Sequence, residues 1–135
     1  MNTEKIKGIG FHHIGLIVKD LAASVTFYEA LGMKSVCGWG TGCRKVCMVD
    51  IGDGGRMELF ASDGAETADN GKWVHLALRA DDVDAAYKAA LEAGAQPHDP
   101  PKTVCIEDAW PQKLTLRIAF VKGPDGEILE FFSEI

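Results

Sequence analysis

Two histidines and two glutamates stand at matching places in this 135-residue chain. His13 lies in FHHIGLIVKD and His75 in WVHLALRADD, while Glu58 lies in MELF and Glu130 in LEFF. Taken singly, each has an ordinary explanation. A strand histidine is more often a packed core or edge residue than a ligand. A glutamate between Met57 and Leu59 can occupy the wet face of a half-buried strand. Duplication changes the balance. A shift of 62 positions carries His13 onto His75, Asp20 onto Asp82, Leu21 onto Val83 and Gly32 onto Gly94, and a shift of 72 carries Glu58 onto Glu130. Carboxylates among apolar neighbours are costly unless paired, and one divalent cation would satisfy two imidazoles and two carboxylates together. Such a mixed nitrogen and oxygen set suits Zn, Ni, Co, Fe or Mn better than Mg or Ca, which prefer oxygen alone. It carries no cysteine, unlike most closed structural zinc sites. Open coordination positions would serve as a Lewis acid for a substrate oxygen or as an activator of water.

The elements that must position these residues are legible around them. Asp20 is a good helix N-cap and Gly32 a good C-terminal stop. Between them Leu21, Val25, Tyr28 and Leu31 recur at helical spacing. KSVCG, RKVCMVDIG and GRMELFAS then read as three strands separated by glycine-rich turns. Strand, cap, helix and stop recur in WVHLALRADDVDAAYKAALEAGA, and AFVKGPDGEILEFFS reads as a hairpin with a Pro124-Asp125-Gly126 turn. The ten extra residues of the second half fit a proline-rich loop, AQPHDPPKTVCIEDAWPQ, which holds four of the five prolines. The expected fold is α+β, with two strand–helix–three-strand (βαβββ) modules in one domain over residues 1–135. Module 1 covers about 9–61, a polar linker spans Ser62–Lys72, and module 2 covers about 73–135. Side chains alternate across a strand, so His12 and His13 cannot share a role. His12 maps to the apolar Val74 and is expected to pack on the other face or lie half-exposed.

Bulk properties narrow the class. A formal charge of -6 argues against nucleic acid and anionic membranes as partners. No apolar run is long enough to span a bilayer, and MNTEKIKGIG is polar and lacks a signal-peptide core. A cytoplasmic protein acting on a small molecule is expected. Cys37, Cys43 and Cys47 are spaced by six and four, not as CxxC. With Cys105 they are expected to be reduced thiols, buried or half-exposed on neighbouring strands.

Other motifs carry less. GWGTG, Gly38–Gly42, precedes a strand pattern rather than a helix, which removes the phosphate-cradling mechanism and leaves an inter-strand loop. Trp39 could line a cleft. Trp110 and His98 fall in the proline-rich stretch, which suits either a specificity loop or a surface crossover. Ser24 has no implied histidine partner and is not a nucleophile. Asp20 and Asp82 are caps, not ligands.

HHIGLIVKDLAASVTFYEALGMK, MELF, VHLALRADDVDAAY and GPDGEILEFF together resemble the vicinal oxygen chelate superfamily. That group includes glyoxalase I, methylmalonyl-CoA epimerase, extradiol dioxygenases and bleomycin or fosfomycin resistance proteins. The resemblance implies paired βαβββ modules in a curled mixed sheet around a metal-binding cleft, and a homodimer. Within the superfamily the set is similar to the glyoxalase I (lactoylglutathione lyase) metal site. It implies His13, Glu58, His75 and Glu130 as ligands of a divalent metal, Ni, Zn or Co first and Fe or Mn next. Glu130 matches the glutamate that abstracts the proton beside a polarised carbonyl, giving an enediolate, with Glu58 shuttling it on the other side. Two glutathione-binding positions are not matched, because Ile17 stands where the family has arginine and Ser62 where it has asparagine. A glyoxalase I-type lyase or isomerase is the leading expectation. The alternatives are an acyl-CoA epimerase with the same proton abstraction, an Fe(II) dioxygenase, and a non-catalytic drug- or metabolite-binding protein.

Overall fold

The computed structural model describes residues 5–30, 32–63, 72–124, 126 and 128–135. Leu31 of the expected helix face, residues 64–71 of the linker and Asp125 of the turn lie outside the described residues. Two compact units emerge: His13–Val74 with Ile106–Lys113, and Met1–His12 with His75–Cys105 and Leu114–Ile135. Both are α+β, each a mixed sheet with one helix against it.

The first unit takes β1 (Gly10–Ile17) from His13 onward, then α1 (Leu21–Ala30), β2 (Lys34–Trp39), a short 3-10 turn at Gly42–Arg44, β3 (Val46–Asp50) and β4 (Arg56–Phe60). Its strand order is β2-β3-β4-β1. β4 runs antiparallel to β3 and parallel to β1. The Asp20 carboxylate caps α1, accepting from the Ala23 N–H at 3.0 Å. At the other end Gly32 adopts φ of 100°, the Met33 N–H reaches the Tyr28 carbonyl and the Gly32 N–H reaches that of Glu29. That is a Schellman stop, and only glycine adopts its left-handed position cheaply.

Strand alternation then divides the residues between two faces. Leu16, Val18, Cys47, Val49, Met57 and Leu59 form the core, with Leu21, Val25 and Tyr28 of α1 packed on it. Each such side chain contributes about 1.5–3 kcal/mol when fully buried. The intervening residues, His13, Gly15 and Ile17 of β1 and Arg56, Glu58 and Phe60 of β4, must face the other way.

The second unit repeats this plan with β5 (Lys72–Arg79) from His75 onward, α2 (Val83–Glu92), β6 (Gln96–Ile106), β7 (Leu114–Lys122) and β8 (Ile128–Glu134), in the order β5-β8-β7-β6. Asp82 caps α2 through the Ala85 N–H at 3.0 Å. Gly94, the Ala95 N–H on Ala90 and the Gly94 N–H on Leu91 reproduce the Schellman stop. Ala80, Val83, Ala86, Ala119, Val121 and Phe131 form its core. Arg117 of β7 points to the helix side and grips both carboxylate oxygens of Asp84 at 2.7 and 2.8 Å. In the hairpin the Gly126 N–H closes on the Gly123 carbonyl at 3.0 Å.

The proline-rich stretch corrects one expectation. It is not a loop: residues 96–106 are β6, an eleven-residue strand. Pro97, Pro100 and Pro101 fit there because β6 ends its unit's sheet order, and an edge strand tolerates a missing N–H donor. Lys72, placed at the end of the linker, already opens β5. The connection that follows β6 belongs to the first unit: Gly38 and Trp110 exchange backbone hydrogen bonds at 3.2 and 2.8 Å, and the Asp108 carboxylate accepts from the Gly40 N–H at 2.9 Å.

Candidate active site

Each unit brings one expected histidine to one expected glutamate. In the first, His13 Nε2 lies 3.1 Å from Glu58 Oε1. In the second, His75 Nε2 lies 3.1 Å from Glu130 Oε1. All four side chains are no more than about a tenth exposed. Such burial is unusual for a carboxylate without a partner.

The register explains how the strands create the pairs. Glu58 stands directly opposite Gly15 on β1 and Met48 on β3. Glu130 stands directly opposite Ala77 on β5 and Phe120 on β7. Gly15 and Ala77 occupy the position two residues past each histidine, on the same face. A hydrogen or a methyl there leaves room for the imidazole to reach diagonally across to the carboxylate. Any larger side chain at Ala77, itself fully buried, would fill that space. These two small residues escape a search for chemical side chains. Alternation combined with parallel pairing of first and last strands is the signal that identifies them.

The donor set and its spacing fit a metal. With bonds of about 2.0–2.2 Å to nitrogen and oxygen, two ligands at right angles on one ion stand about 3 Å apart, as the atoms of each pair do. The same distance suits a hydrogen bond. Its recurrence in equivalent registers is what argues for a ligand role.

The remaining candidates separate from the pairs. His12 is half-buried, its ring 4.1 Å from that of Phe132. His98 on β6 is exposed and lies edge-on to Phe120 at 6.5 Å, while His75 meets the same ring at 6.0 Å. Trp39 ends β2, and Trp110 is pinned to Gly38. The Ser62 hydroxyl donates to the Val18 carbonyl at 2.9 Å, which ties the end of β4 to that of β1. All four cysteines are reduced: Cys37 and Cys47 are buried on β2 and β3, Cys43 and Cys105 exposed. Burial pushes the Cys47 thiol above the ordinary range, partly offset by its hydrogen bond to Ser35. Among the described residues no helix is long and apolar enough to cross a membrane.

Comparison with known proteins follows the same lines. Residues 10–131 match the family model of the Glyoxalase/Bleomycin resistance protein/Dioxygenase superfamily. The uncharacterized protein YwbC of Bacillus subtilis (strain 168) is 34% identical over 125 residues, covering 89% of this chain and 94% of that protein. Among solved structures, methylmalonyl-CoA epimerase from Mycobacterium tuberculosis aligns with a TM-score of 0.70 at 21% identity, over 98% of this chain and 91% of that one. A Streptomyces coelicolor methylmalonyl-CoA epimerase, in complex with 2-nitronate-propionyl-CoA, aligns with a TM-score of 0.64 at 26% identity, over 90% and 94%. The paired modules, their caps and the family match agree: this chain belongs to the glyoxalase, bleomycin resistance and dioxygenase group, the vicinal oxygen chelate superfamily.

Proposed function

We propose that this protein is a metal-dependent enzyme that moves a proton at the carbon beside a thioester carbonyl, an acyl-CoA epimerase in type. The observation that carries the reading is the duplicated His–Glu pair, 3.1 Å in each unit and set in equivalent strand registers. His13, His75, Glu58 and Glu130 are the proposed ligands of one divalent ion. Once bound, that ion would polarise the substrate carbonyl and acidify the neighbouring C–H. The chain supplies the rest. Glu130 takes the proton at a carboxylate oxygen, and Glu58, its counterpart in the other unit, returns one. Two carboxylates of equivalent placement suit an epimerase, which must remove a proton from one face of a carbon and deliver one to the other. His13 and His75, held by buried strands, would fix the ion beside the two carboxylates.

Two observations favour an acyl thioester over the glutathione adduct of glyoxalase I. The similar solved structures include methylmalonyl-CoA epimerases, one holding a propionyl-CoA analogue. At the two positions that would bind glutathione, Ile17 has no charge to offer, and the Ser62 hydroxyl is committed to the Val18 carbonyl. The reading carries with it a homodimeric, cytoplasmic protein with no nucleic-acid partner. It is tested by incubating metal-loaded protein with methylmalonyl-CoA in D2O, and separately with methylglyoxal and a panel of thiols. Deuterium at the carbon between the two carbonyls, with no turnover of any hemithioacetal, is the expected result. Hemithioacetal turnover without exchange would restore the lyase reading instead.

A further inference from the structure

The two units part company one rank beyond the catalytic carboxylates. Along β1 and β4 the residues on the Glu58 face run in register pairs: His13 with Arg56, Gly15 with Glu58, Ile17 with Phe60. Successive ranks on one face lie about 6.5–7 Å apart. The last rank opens into a cavity of about 240 Å³, lined by Ile17, Cys43, Phe60, Ala61 and Val74. Four of these five side chains are hydrocarbon, and a cysteine in such company behaves as a small hydrophobe. The equivalent rank of the second unit is Arg79 with Phe132. There the space is taken. Phe132 is 4% exposed and its ring packs tilted against that of His12, and the Arg79 guanidinium donates to the Phe11 carbonyl at 3.5 Å. Glu58 therefore has an apolar pocket one rank away, whereas at the corresponding rank of the second unit Phe132 packs on His12 and Arg79 reaches the Phe11 carbonyl.

We propose that this pocket is an apolar substrate subsite, which takes a short alkyl chain of the acyl group whose carbon is worked on at Glu58. The proposal rests on the acyl-thioester reading above and adds to it the character of the acyl group. The cavity is smaller than the 300–1,000 Å³ typical of whole-ligand sites, so it holds a few carbons rather than a cofactor. Its distance from Glu58, one rank, is the reach of such a chain. None of its side chains carries a formal charge to pair with a carboxylate or an ammonium, so a charged substituent placed there would lose its hydration with little in return. The equivalent rank of the second unit offers Arg79 and Phe132 in place of Ile17 and Phe60, so the apolar character belongs to the first unit's rank.

Cys43 at the pocket, with Cys105 exposed in the other unit, provides a built-in reporter and its control. The experiment measures binding to metal-loaded protein of straight-chain acyl-CoA thioesters from acetyl to hexanoyl, and of the matching N-acetylcysteamine thioesters. Iodoacetamide labelling of Cys43 and Cys105 is followed in parallel by mass spectrometry. Affinity is expected to rise about 3- to 4-fold per added methylene until the pocket is filled. Labelling of Cys43 should slow with chain length while that of Cys105 does not change. Ile17→Asn, or Val74→Asn at a more exposed position, should flatten both trends. Affinity independent of chain length in the wild-type protein, or Cys43 unprotected by the longest chain, overturns the proposal. Equal binding of the two series with the chain-length trend intact would remove the CoA reading and leave the pocket standing. Tighter binding of the CoA series with no trend would do the reverse.

Discussion

In the first unit an imidazole on the opening strand meets a carboxylate on the closing strand, directly across from a glycine and a methionine. In the second, the same two side chains meet at the same 3.1 Å, across from an alanine and a phenylalanine. Caps and stops are duplicated with equal fidelity. What surrounds the pairs is not. Arg56 precedes Glu58 where Ile128 precedes Glu130, and Ile17 follows the first histidine where Arg79 follows the second. The lesson is a division of labour. Features required to build a His–Glu pair are held the same in both halves, whereas those that would greet a substrate have diverged.

Removing a carboxylate should have the largest effect on this comparison. Glu130→Gln is expected to slow deuterium incorporation into one epimer of methylmalonyl-CoA by about 10²- to 10⁴-fold, with metal content measured alongside to separate loss of the base from loss of the ion. Glu58→Gln should do the same to the other epimer. If each variant spares exchange of the epimer that the other abolishes, the two carboxylates act on opposite faces. Equal loss for both epimers in one variant and none in the other would break the symmetry of roles.

Packing offers the next largest handle. Phe131→Ala in the second core should cost about 3–5 kcal/mol, and Leu59→Ala, fully buried in the first, about 2–5 kcal/mol. Urea unfolding followed by circular dichroism reads both. If the modules fold as one domain, each variant lowers a single shared transition. Two separate transitions would mean that the duplicated units are also independent ones.

The caps give a smaller, more symmetric comparison. Asp20→Ala and Asp82→Ala should each cost about 1 kcal/mol, because both carboxylates accept one N–H at 3.0 Å. Smallest is a reactivity difference among thiols. Iodoacetamide near neutral pH should label Cys43 and Cys105 and spare Cys37 and Cys47. Since burial raises the Cys47 pKa, its thiolate appears only at a pH above that of an ordinary thiol, and its labelling should lag correspondingly as pH rises.

Much of this was legible because the chain says it twice. Asp20 and Asp82, Gly32 and Gly94, and the two His–Glu pairs emerge from a shift along the sequence alone. The ladders carry the same repeat: Gly15 pairs with Glu58 as Ala77 does with Glu130, and Met48 with Glu58 as Phe120 does with Glu130. Where the repeat lapses, reading fails. β6 was hidden by Pro97, Pro100 and Pro101, since proline argues against a strand unless the edge position is already known. The Ile17 pocket was hidden because each of its members is an ordinary apolar residue. Only the register brings Ile17 against Phe60, and only the turn at Gly42–Arg44 brings Cys43 to them. Residue type made the His–Glu pairs legible in the sequence, whereas the pocket depends on neighbours in space.

Metal stoichiometry tests the central claim, that two duplicated pairs serve one ion. Purified protein titrated with Zn, Ni or Co at pH 7.5 should bind one ion per chain, and either His13→Ala or His75→Ala should abolish tight binding, although these residues sit in different units. Two ions per chain, with each variant losing only one of them, would show two separate sites and contradict the account.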